Sequence, residues 1–258
     1  MEKKLEISST TRIGQNQGLI LLTAFFTGMA LLTMFFPLAA NIPINIIIPI
    51  IILARLNMVF FERLKLSTLL LMRLLVVITV FHVVSGSTCT IIVAVLFSIN
   101  ILEATLTDLL KKKNYFNAIS GFALVASIPF IQGDWNGTYY TMTMKGIIFW
   151  IAAYTLWNWI FVTYEFGHNL AKLHVGVLGA PIIGALLMWN PGVWFLLRGN
   201  SLTVAGITQI SNKEKLETFF VNNRFAKFVD KTQTKQGQVV LMIANLVLVG
   251  TSVLLAIY

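Results

Sequence analysis

Three polar side chains lie deep inside long apolar stretches of this sequence. Arg73, Glu103 and Asn158 each stand six or seven residues from one end of such a stretch. A helix rises about 1.5 Å per residue, so all three should lie about 9–10 Å inside a membrane, in one layer. A charged side chain at that depth costs about 2.5–3.5 kcal/mol on insertion scales and is a candidate for function. We expect an Arg73–Glu103 ion pair, completed by Asn158, beside a cavity open to the cytoplasm. Alternatively, Arg73 reaches the headgroups and Asn158 only bonds a neighbouring helix.

Two further groups of residues extend this polar layer. Asn100 and Glu103 follow the three-to-four-residue spacing of one helix face, which gives that helix a polar stripe. Tyr154 and Trp157 precede Asn158 on the next candidate helix face. An amide edge between aromatic rings can contact a small molecule, although helix packing accounts for the same pattern equally well.

Glu165 and His168 stand one helical turn apart, and Asn169 follows them directly. A carboxylate beside an imidazole can relay protons or gate the mouth of a membrane site, and it can equally be a hydrogen-bonded loop feature. Di-iron bundles use this spacing twice, whereas it occurs once here, so we expect no metal and no cofactor.

Several of these residues belong to short motifs. The stretches Asn100-Ile-Leu-Glu103-Ala and Ala153-Tyr154-Thr-Leu-Trp157-Asn158-Trp159, together with His168-Asn169, resemble motifs of a prokaryotic family of multi-pass membrane proteins with a domain of unknown function. The resemblance covers most of the chain. It implies a multi-pass membrane protein and no particular activity.

The elements that must position these residues are transmembrane helices. Of the 258 residues, 57% are apolar and 11% are charged, and the mean hydropathy is +0.81; soluble domains carry charge on about a quarter of their residues. This composition excludes a soluble domain and a disordered chain, and a single cysteine, Cys89, excludes a disulfide-rich module. Nine runs are long enough to cross a bilayer and predict a polytopic all-α bundle: 17–38, 42–60, 66–86, 88–109, 115–132, 144–164, 170–189, 191–210 and 238–258.

Local signals refine two of these spans. Asn190 and Pro191 predict a helix N-cap and first turn after a tight hairpin. The eighth span is interrupted at 198–200, so a re-entrant half-helix, with eight full crossings, is the alternative. The first span is interpreted as an uncleaved anchor, because its apolar region is too long for a signal peptide.

The distribution of Lys and Arg predicts the orientation. With the N-terminus inside, all but three of the 19 cations lie in cytoplasmic segments, as the positive-inside rule requires. The exceptions, Arg73, Lys145 and Arg198, lie within predicted spans. We therefore expect one transmembrane domain in a prokaryotic cytoplasmic membrane, with the N-terminus and the basic segment 211–237 in the cytoplasm.

The basic segment begins with Ser211 and has Glu214 three positions later, a capping-box pattern typical of a helix start. Asn222-Asn223 should break it, so that it rests on the anionic inner leaflet in two pieces. Membrane lipids are the expected partners of these cations. Nucleic acid is not, because cations spread over every cytoplasmic loop are a topology signal.

Together these features favour a transporter or channel for a small polar solute or ion, with Arg73 and Glu103 exchanging partners with the solute. Two other hypotheses stay open. One is an intramembrane enzyme acting on a lipid or isoprenoid headgroup, with Glu165 and His168 as acid and base, although no catalytic motif is recognisable. The other is a membrane sensor or assembly partner that uses the segment 211–237.

Overall fold

The computed structural model describes residues 10–55 and 60–258. For residues 10–13 and 60–62 it describes the backbone alone. Lys3, Lys4 and residues 56–59 of the second predicted span lie outside the described residues. The elements are α1 (Thr10–Phe35), α2 (Ile48–Arg55), α3 (Phe60–Val80), α4 (Gly86–Thr107), α5 (Tyr115–Ser127), β1 (Gln132–Trp135), β2 (Tyr140–Thr143), α6 (Ile147–Leu187), α7 (Trp194–Ser211), α8 (Lys213–Phe219), α9 (Asn223–Gln233) and α10 (Lys235–Ile257). π-Helical turns precede α2 (Pro43–Ile47) and extend α4 (Asp108–Lys112), and 3-10 turns lie at Ile128–Phe130 and Pro191–Val193. The fold is all-α apart from one short hairpin.

Four of the described helices are long and apolar enough to span a membrane. They are α1 from Gly14, α4 with its extension to Lys112, α6 and α10. Large apolar side chains on their outer faces are exposed, and Ile20, Ile91 and Val240 are each 65% exposed or more. An apolar outer surface of this extent is suited to lipid rather than to water. The protein is therefore membrane-embedded.

The prediction of nine such helices is wrong, because four of the described helices meet these criteria. Within the described residues, the run 42–60 supplies the helical segment Pro43–Arg55, and the run 115–132 supplies Tyr115–Phe130. At about 1.5 Å per residue Tyr115–Phe130 reaches about 24 Å, less than the hydrocarbon thickness of about 30 Å. Helix α3 carries charged residues, helix α7 is continuous but contains Arg198 and several polar residues, and the runs 144–164 and 170–189 belong to one element, α6.

Gly167 divides α6 into two arms, 147–166 and 168–187. Its backbone angles, φ 71° and ψ −178°, are not helical. Arg198 of α7 donates both to Asn158 of the first arm and to the carbonyl of Val177 in the second. In a straight helix those two residues would lie about 28 Å apart. The arms are therefore side by side, and the chain turns at Gly167 as the sequence indicates.

The β-hairpin marks one end of the bundle, which we call the hairpin end. Strands β1 and β2 are antiparallel, with Trp135 opposite Tyr140, and Asn136 Oδ1 accepts from the backbone N–H groups of Thr138 and Tyr139. Tyr140 and Met142 are each 1% exposed. The sequence predicted only a connection here, because strands of four residues are too short to show an alternating pattern.

Helices α8 and α9 mark the opposite end, which we call the basic end. Asn222 caps α9 by accepting from the N–H of Phe225 at 2.9 Å, so the predicted break in this segment is confirmed. The predicted helix start at Ser211 is wrong, because Ser211 is the last residue of α7. Val229 is fully buried against the bundle.

Helix α7 starts as the sequence predicts and then continues without interruption. Asn190 Oδ1 accepts from the N–H of Gly192 at 2.8 Å, and Pro191 opens the 3-10 turn. The helix runs through Arg198, Gly199 and Asn200, all buried. This continuity places two polar side chains in the interior of the bundle.

Candidate functional site

A cavity lies between α3, α6 and α7, and we call it the central cavity. It encloses about 70 Å³, room for about two water molecules at about 30 Å³ each. Its polar lining comes from three helices: Lys65, Asn158, His174, Arg198 and Gln209. The remaining lining is chiefly apolar, and Leu69, Phe161 and Leu202 are examples. A mostly apolar pocket with a few convergent polar groups is the usual form of a small-molecule site.

Arg198 is the most buried charged side chain of the central cavity, at 2% exposure. Its Nη2 donates to Asn158 Oδ1 at 3.3 Å, and its Nη1 donates to the carbonyl of Val177 at 3.4 Å. The guanidinium carbon lies 5.8 Å from the centre of the Tyr154 ring. Its Nε has no acceptor among the described residues. Every partner of this cation is thus a neutral dipole or a π-face.

Lys65 reaches the central cavity from α3. Lys65, Leu69 and Arg73 are spaced four residues apart, so they share one helix face. The ammonium of Lys65 lies 5.8 Å from the centre of the Phe161 ring. Sequence reasoning missed Lys65 because it assigned the residue to a loop before a span at 66. The spacing from Arg73 is the signal that would have found it.

Arg73 lies two helical turns further toward the hairpin end, and it is 1% exposed. It donates to Asn200 Oδ1, and Asn200 in turn donates to the carbonyl of Ala30 at 3.1 Å. The guanidinium packs over Gly199, where an added Cβ would stand 2.5 Å from Nη2. Burial raises the pKa of the neighbouring Tyr140 phenol, and the Arg73 charge opposes that shift.

The predicted Arg73–Glu103 ion pair is absent among the described residues. Arg73 binds Asn200 instead, and Glu103 lies within electrostatic reach of Lys65 and Lys111. The Oε1 atom of Glu103 is buried without a hydrogen-bond donor among the described residues. Counting residues along each helix places Arg73 and Glu103 at similar depth, but their side chains have partners in different parts of the bundle.

A second, smaller cavity of about 20 Å³ adjoins the first on the side of the hairpin end. Lys65 and Arg198 line both. Asn100 and Tyr154 also line the smaller cavity, and Asn100 Oδ1 is buried with no described donor. Asn158 Nδ2 lies 3.5 Å from the Tyr154 hydroxyl. These predicted residues therefore do gather around one polar region.

Aromatic rings close this region on the side of the hairpin end. Tyr154 stacks against Phe97 at 5.3 Å between ring centres and against Trp150 at 5.7 Å. Trp194 and Phe195 of α7 complete the layer, with Trp194 5.1 Å from Tyr154. The layer leaves the polar region nearer to the basic end.

Trp157 does not join the predicted site. It is 1% exposed and stacks on Phe161 with ring centres 6.3 Å apart. Its indole faces α5, where a Cβ added at Gly121 would stand 2.8 Å from Nε1. Its position fits the packing interpretation rather than a solute contact.

Glu165 and His168 are separated by the turn at Gly167 and hold different partners. Glu165 forms an ion pair with Lys112 at 3.0 Å, and His168 Nε2 lies 2.8 Å from Asp230 Oδ1. Asn169 is half-buried beside them. The structure therefore divides the predicted acid–base pair into two links, one to the end of α4 and one to α9.

A buried carboxylate near the basic end was also missed. Asp108 is fully buried in the π-helical turn after α4 and accepts from Asn117 Nδ2 at 2.6 Å and from Asn114 Nδ2 at 3.4 Å. Asp108 does not belong to the polar layer expected from the sequence. The two asparagines that follow within nine residues are the only sequence signal for this cluster.

His174 lies on the wall of the central cavity. Its Nδ1 is 2.9 Å from the carbonyl of Leu170, so Nδ1 carries a proton, and its ring stacks on Phe166 at 4.8 Å. Within the described ranges, no three His, Cys, Asp or Glu side chains are grouped so that they could hold a metal ion. The polar groups on the cavity wall offer charge pairing and hydrogen bonding.

No family model, curated protein or solved structure matches this chain. The likeness of its short motifs to a multi-pass family therefore stays a resemblance, and the site rests on its own geometry.

Proposed function

We propose that this membrane-embedded protein is a transporter or channel for a small polar solute or ion, and that the central cavity is its binding site. The observation that carries the proposal is the placement of Arg198 and Lys65 in one cavity between three helices. Burying charge in an apolar bundle costs several kcal/mol per ion, and packing alone is better served by apolar residues. A site that must handle a hydrophilic solute requires such groups.

The proposed path reaches the cavity from the basic end. The aromatic layer around Tyr154 and Trp194 closes the opposite side, so passage requires a second arrangement of α6 and α7. The turn at Gly167 and the ion pair between Lys112 and Glu165 lie where the arms of α6 meet α4 and α9. Helices whose ends are held by a turn and by ion pairs are suited to small shifts in position between two states.

For orientation we propose a cytoplasmic membrane with the N-terminus and basic end inside. The cations of the basic end, among them Lys112, Lys213 and Arg224, support this assignment through the positive-inside rule. The exposed residues of the β-hairpin, 132–134, 136–137 and 143, include no Lys or Arg, and the exposed Lys145 lies two residues beyond it.

The test is uptake by proteoliposomes of labelled probes, namely sodium, chloride, nitrate and glycine. We expect uptake of at least one probe by the wild-type protein. Arg198→Gln should lower that uptake at least tenfold, because the cation in the cavity is lost. Arg224→Gln is the matched control, since Arg224 is exposed on α9. Equal uptake by Arg198→Gln and wild type would remove the central cavity from the path.

The two other hypotheses have weaker support from the geometry. Glu165 and His168 no longer form a pair that could share one substrate as acid and base. The apolar faces of α8 and α9 already pack on the bundle through Phe220 and Val229, both fully buried. That burial leaves less of the segment 211–237 available to an assembly partner.

A further inference from the structure

The described part of the bundle buries more positive than negative charge. Arg73 and Arg198 are at most 2% exposed, whereas Asp108 is the one carboxylate of that part buried to the same degree. Asp108 already accepts hydrogen bonds from Asn114 and Asn117 at the basic end. Cations withdrawn from water without a counter-charge are costly, so this imbalance requires an explanation.

The two buried arginines have only neutral partners. Arg198 donates to an amide and a backbone carbonyl, and Arg73 donates to the amide of Asn200. Oxygen dipoles solvate a guanidinium, but they leave its charge in place. Arg198 Nε and Arg73 Nε and Nη2 have no acceptor in the part of the chain that the structure describes. The ion pairs described elsewhere, at Glu165 and at Asp230, involve neither arginine.

Two carboxylates lie near the central cavity. Glu103 and Glu165 are both within electrostatic reach of Lys65, as is Arg198. Neither carboxylate forms an ion pair with Arg198. No described carboxylate is therefore in direct contact with the Arg198 guanidinium.

We propose that the central cavity binds a small inorganic anion, with the Arg198 guanidinium as its principal donor. The inference rests on the proposed function, because it names the solute class of the same site. An anion would supply both the missing counter-charge and the missing acceptor for Nε, and hydrogen bonds to an ionised group are the stronger ones. The volume of about 70 Å³ is of the order needed by a small inorganic ion such as chloride or nitrate and is well below that of an organic anion such as gluconate.

The direct test measures the unfolding temperature of the purified full chain while chloride or nitrate replaces gluconate at constant ionic strength. We expect a saturable rise for the wild-type protein with chloride or nitrate, because a ligand that binds the folded state stabilises it. Exchange of sodium for choline at fixed chloride should have no effect. An unfolding temperature that ignores the anion overturns the inference, and this arm needs no variant.

The variants assign the effect to the cavity. Arg198→Gln should weaken the apparent anion affinity at least tenfold, and Arg198→Lys, which keeps the charge but lacks Nε, should weaken it less. Arg224→Gln should leave it unchanged. Wild-type affinity in a folded Arg198→Gln protein would place the anion elsewhere and overturn the inference. If Arg198→Gln does not fold, Arg198→Lys decides, and an unchanged affinity in that variant counts against the Nε contact.

Flux separates this inference from the proposed function. Proteoliposomes that contain a chloride-quenched dye report anion entry directly. Anion binding without entry would contradict transport and leave the anion site intact. Uptake of sodium or glycine by a protein whose stability ignores anions would support transport and contradict the anion site.

A lipid phosphate could supply the same charge, and nanodiscs distinguish it from a free ion. With phosphatidylcholine alone, nitrate should stabilise the protein to the same extent as with added phosphatidylglycerol. Loss of the nitrate effect when phosphatidylglycerol is present would assign the cavity to a headgroup and overturn the free-anion proposal.

Discussion

Arg73 and Arg198 differ from most buried charges in that amide oxygens, rather than carboxylates, surround them. A carboxylate partner would hold an arginine in a fixed pair, whereas Asn158 and Asn200 accept one hydrogen bond each and leave other N–H groups unused. The arrangement keeps both side chains in place while their charge stays available. This is the property that a solute site needs and that a structural ion pair lacks.

The position of Arg73 depends on the missing side chain of Gly199. A Cβ at that position would stand 2.5 Å from Arg73 Nη2 and 3.1 Å from its guanidinium carbon. We expect Gly199→Ala to lower the free energy of unfolding by about 1–3 kcal/mol, because the guanidinium must move out of its packed position. Chemical unfolding in detergent measures this change.

Gly206→Ala is the matched control on the same helix. Nothing lies within 4 Å of a Cβ added at Gly206, so the substitution should be neutral or stabilising by up to about 1 kcal/mol. Similar losses for both variants would mean that α7 itself, rather than the approach of Arg73, is sensitive to alanine.

The free-energy cost of burying polar side chains locates the polar region from the sequence. It does not identify which of these side chains bind one another. The depth of Asn158, Glu103 and Arg73 follows from counting residues along each helix. The direction in which each side chain points depends on helix rotation and on which helices are neighbours, and neither is encoded by hydropathy. Arg73 was therefore expected to bind Glu103, whereas it binds Asn200 on α7.

At the scale of elements, α6 is the feature that builds the site. Its first arm supplies Asn158, its second arm supplies His174, and both arms reach Arg198 because the chain reverses at Gly167. The turn that the sequence predicted between the runs 144–164 and 170–189 is present at Gly167. The count of nine full-length apolar helices failed, because a hydropathy window does not register that the helical segment Tyr115–Phe130 is short.

Gly167 should be difficult to replace. Its angles, φ 71° and ψ −178°, belong to a region that only glycine adopts readily, and residues forced into it cost about 1–3 kcal/mol. No atom lies within 4 Å of an added Cβ, so the cost of Gly167→Ala comes from the backbone alone. We expect the free energy of unfolding to fall by that amount, as measured by chemical unfolding in detergent.

Gly179→Ala provides the comparison in the second arm of α6. Its added Cβ would make an ordinary contact with Thr23 at 4.0 Å, so little change in stability is expected. If Gly167→Ala were as stable as Gly179→Ala, the reversal of the chain at Gly167 would be in doubt.

At the scale of the whole molecule, the sequence predicts the orientation of the protein in the membrane. The fold provides exposed positions at both ends at which this orientation can be tested. The hairpin end and the basic end lie about 30 Å apart, the length of one arm of α6 at about 1.5 Å per residue. Asp134 is exposed on β1 and Arg224 is exposed on α9, so single cysteines at these positions report the two ends separately. The native Cys89 is fully buried and should stay unlabelled by a charged reagent.

With the basic end in the cytoplasm, Asp134→Cys in intact bacterial cells should react with a membrane-impermeant maleimide, whereas Arg224→Cys should react only after permeabilisation. The reason is that the cations gathered on α8 and α9 resist translocation, whereas the hairpin carries an exposed carboxylate and no exposed cation. Gel-shift detection of the labelled chain measures both reactions. The reverse pattern would invert the topology and place the central cavity nearer the outer face. Labelling of both positions in intact cells would mean that the chain between them crosses the membrane an even number of times or not at all.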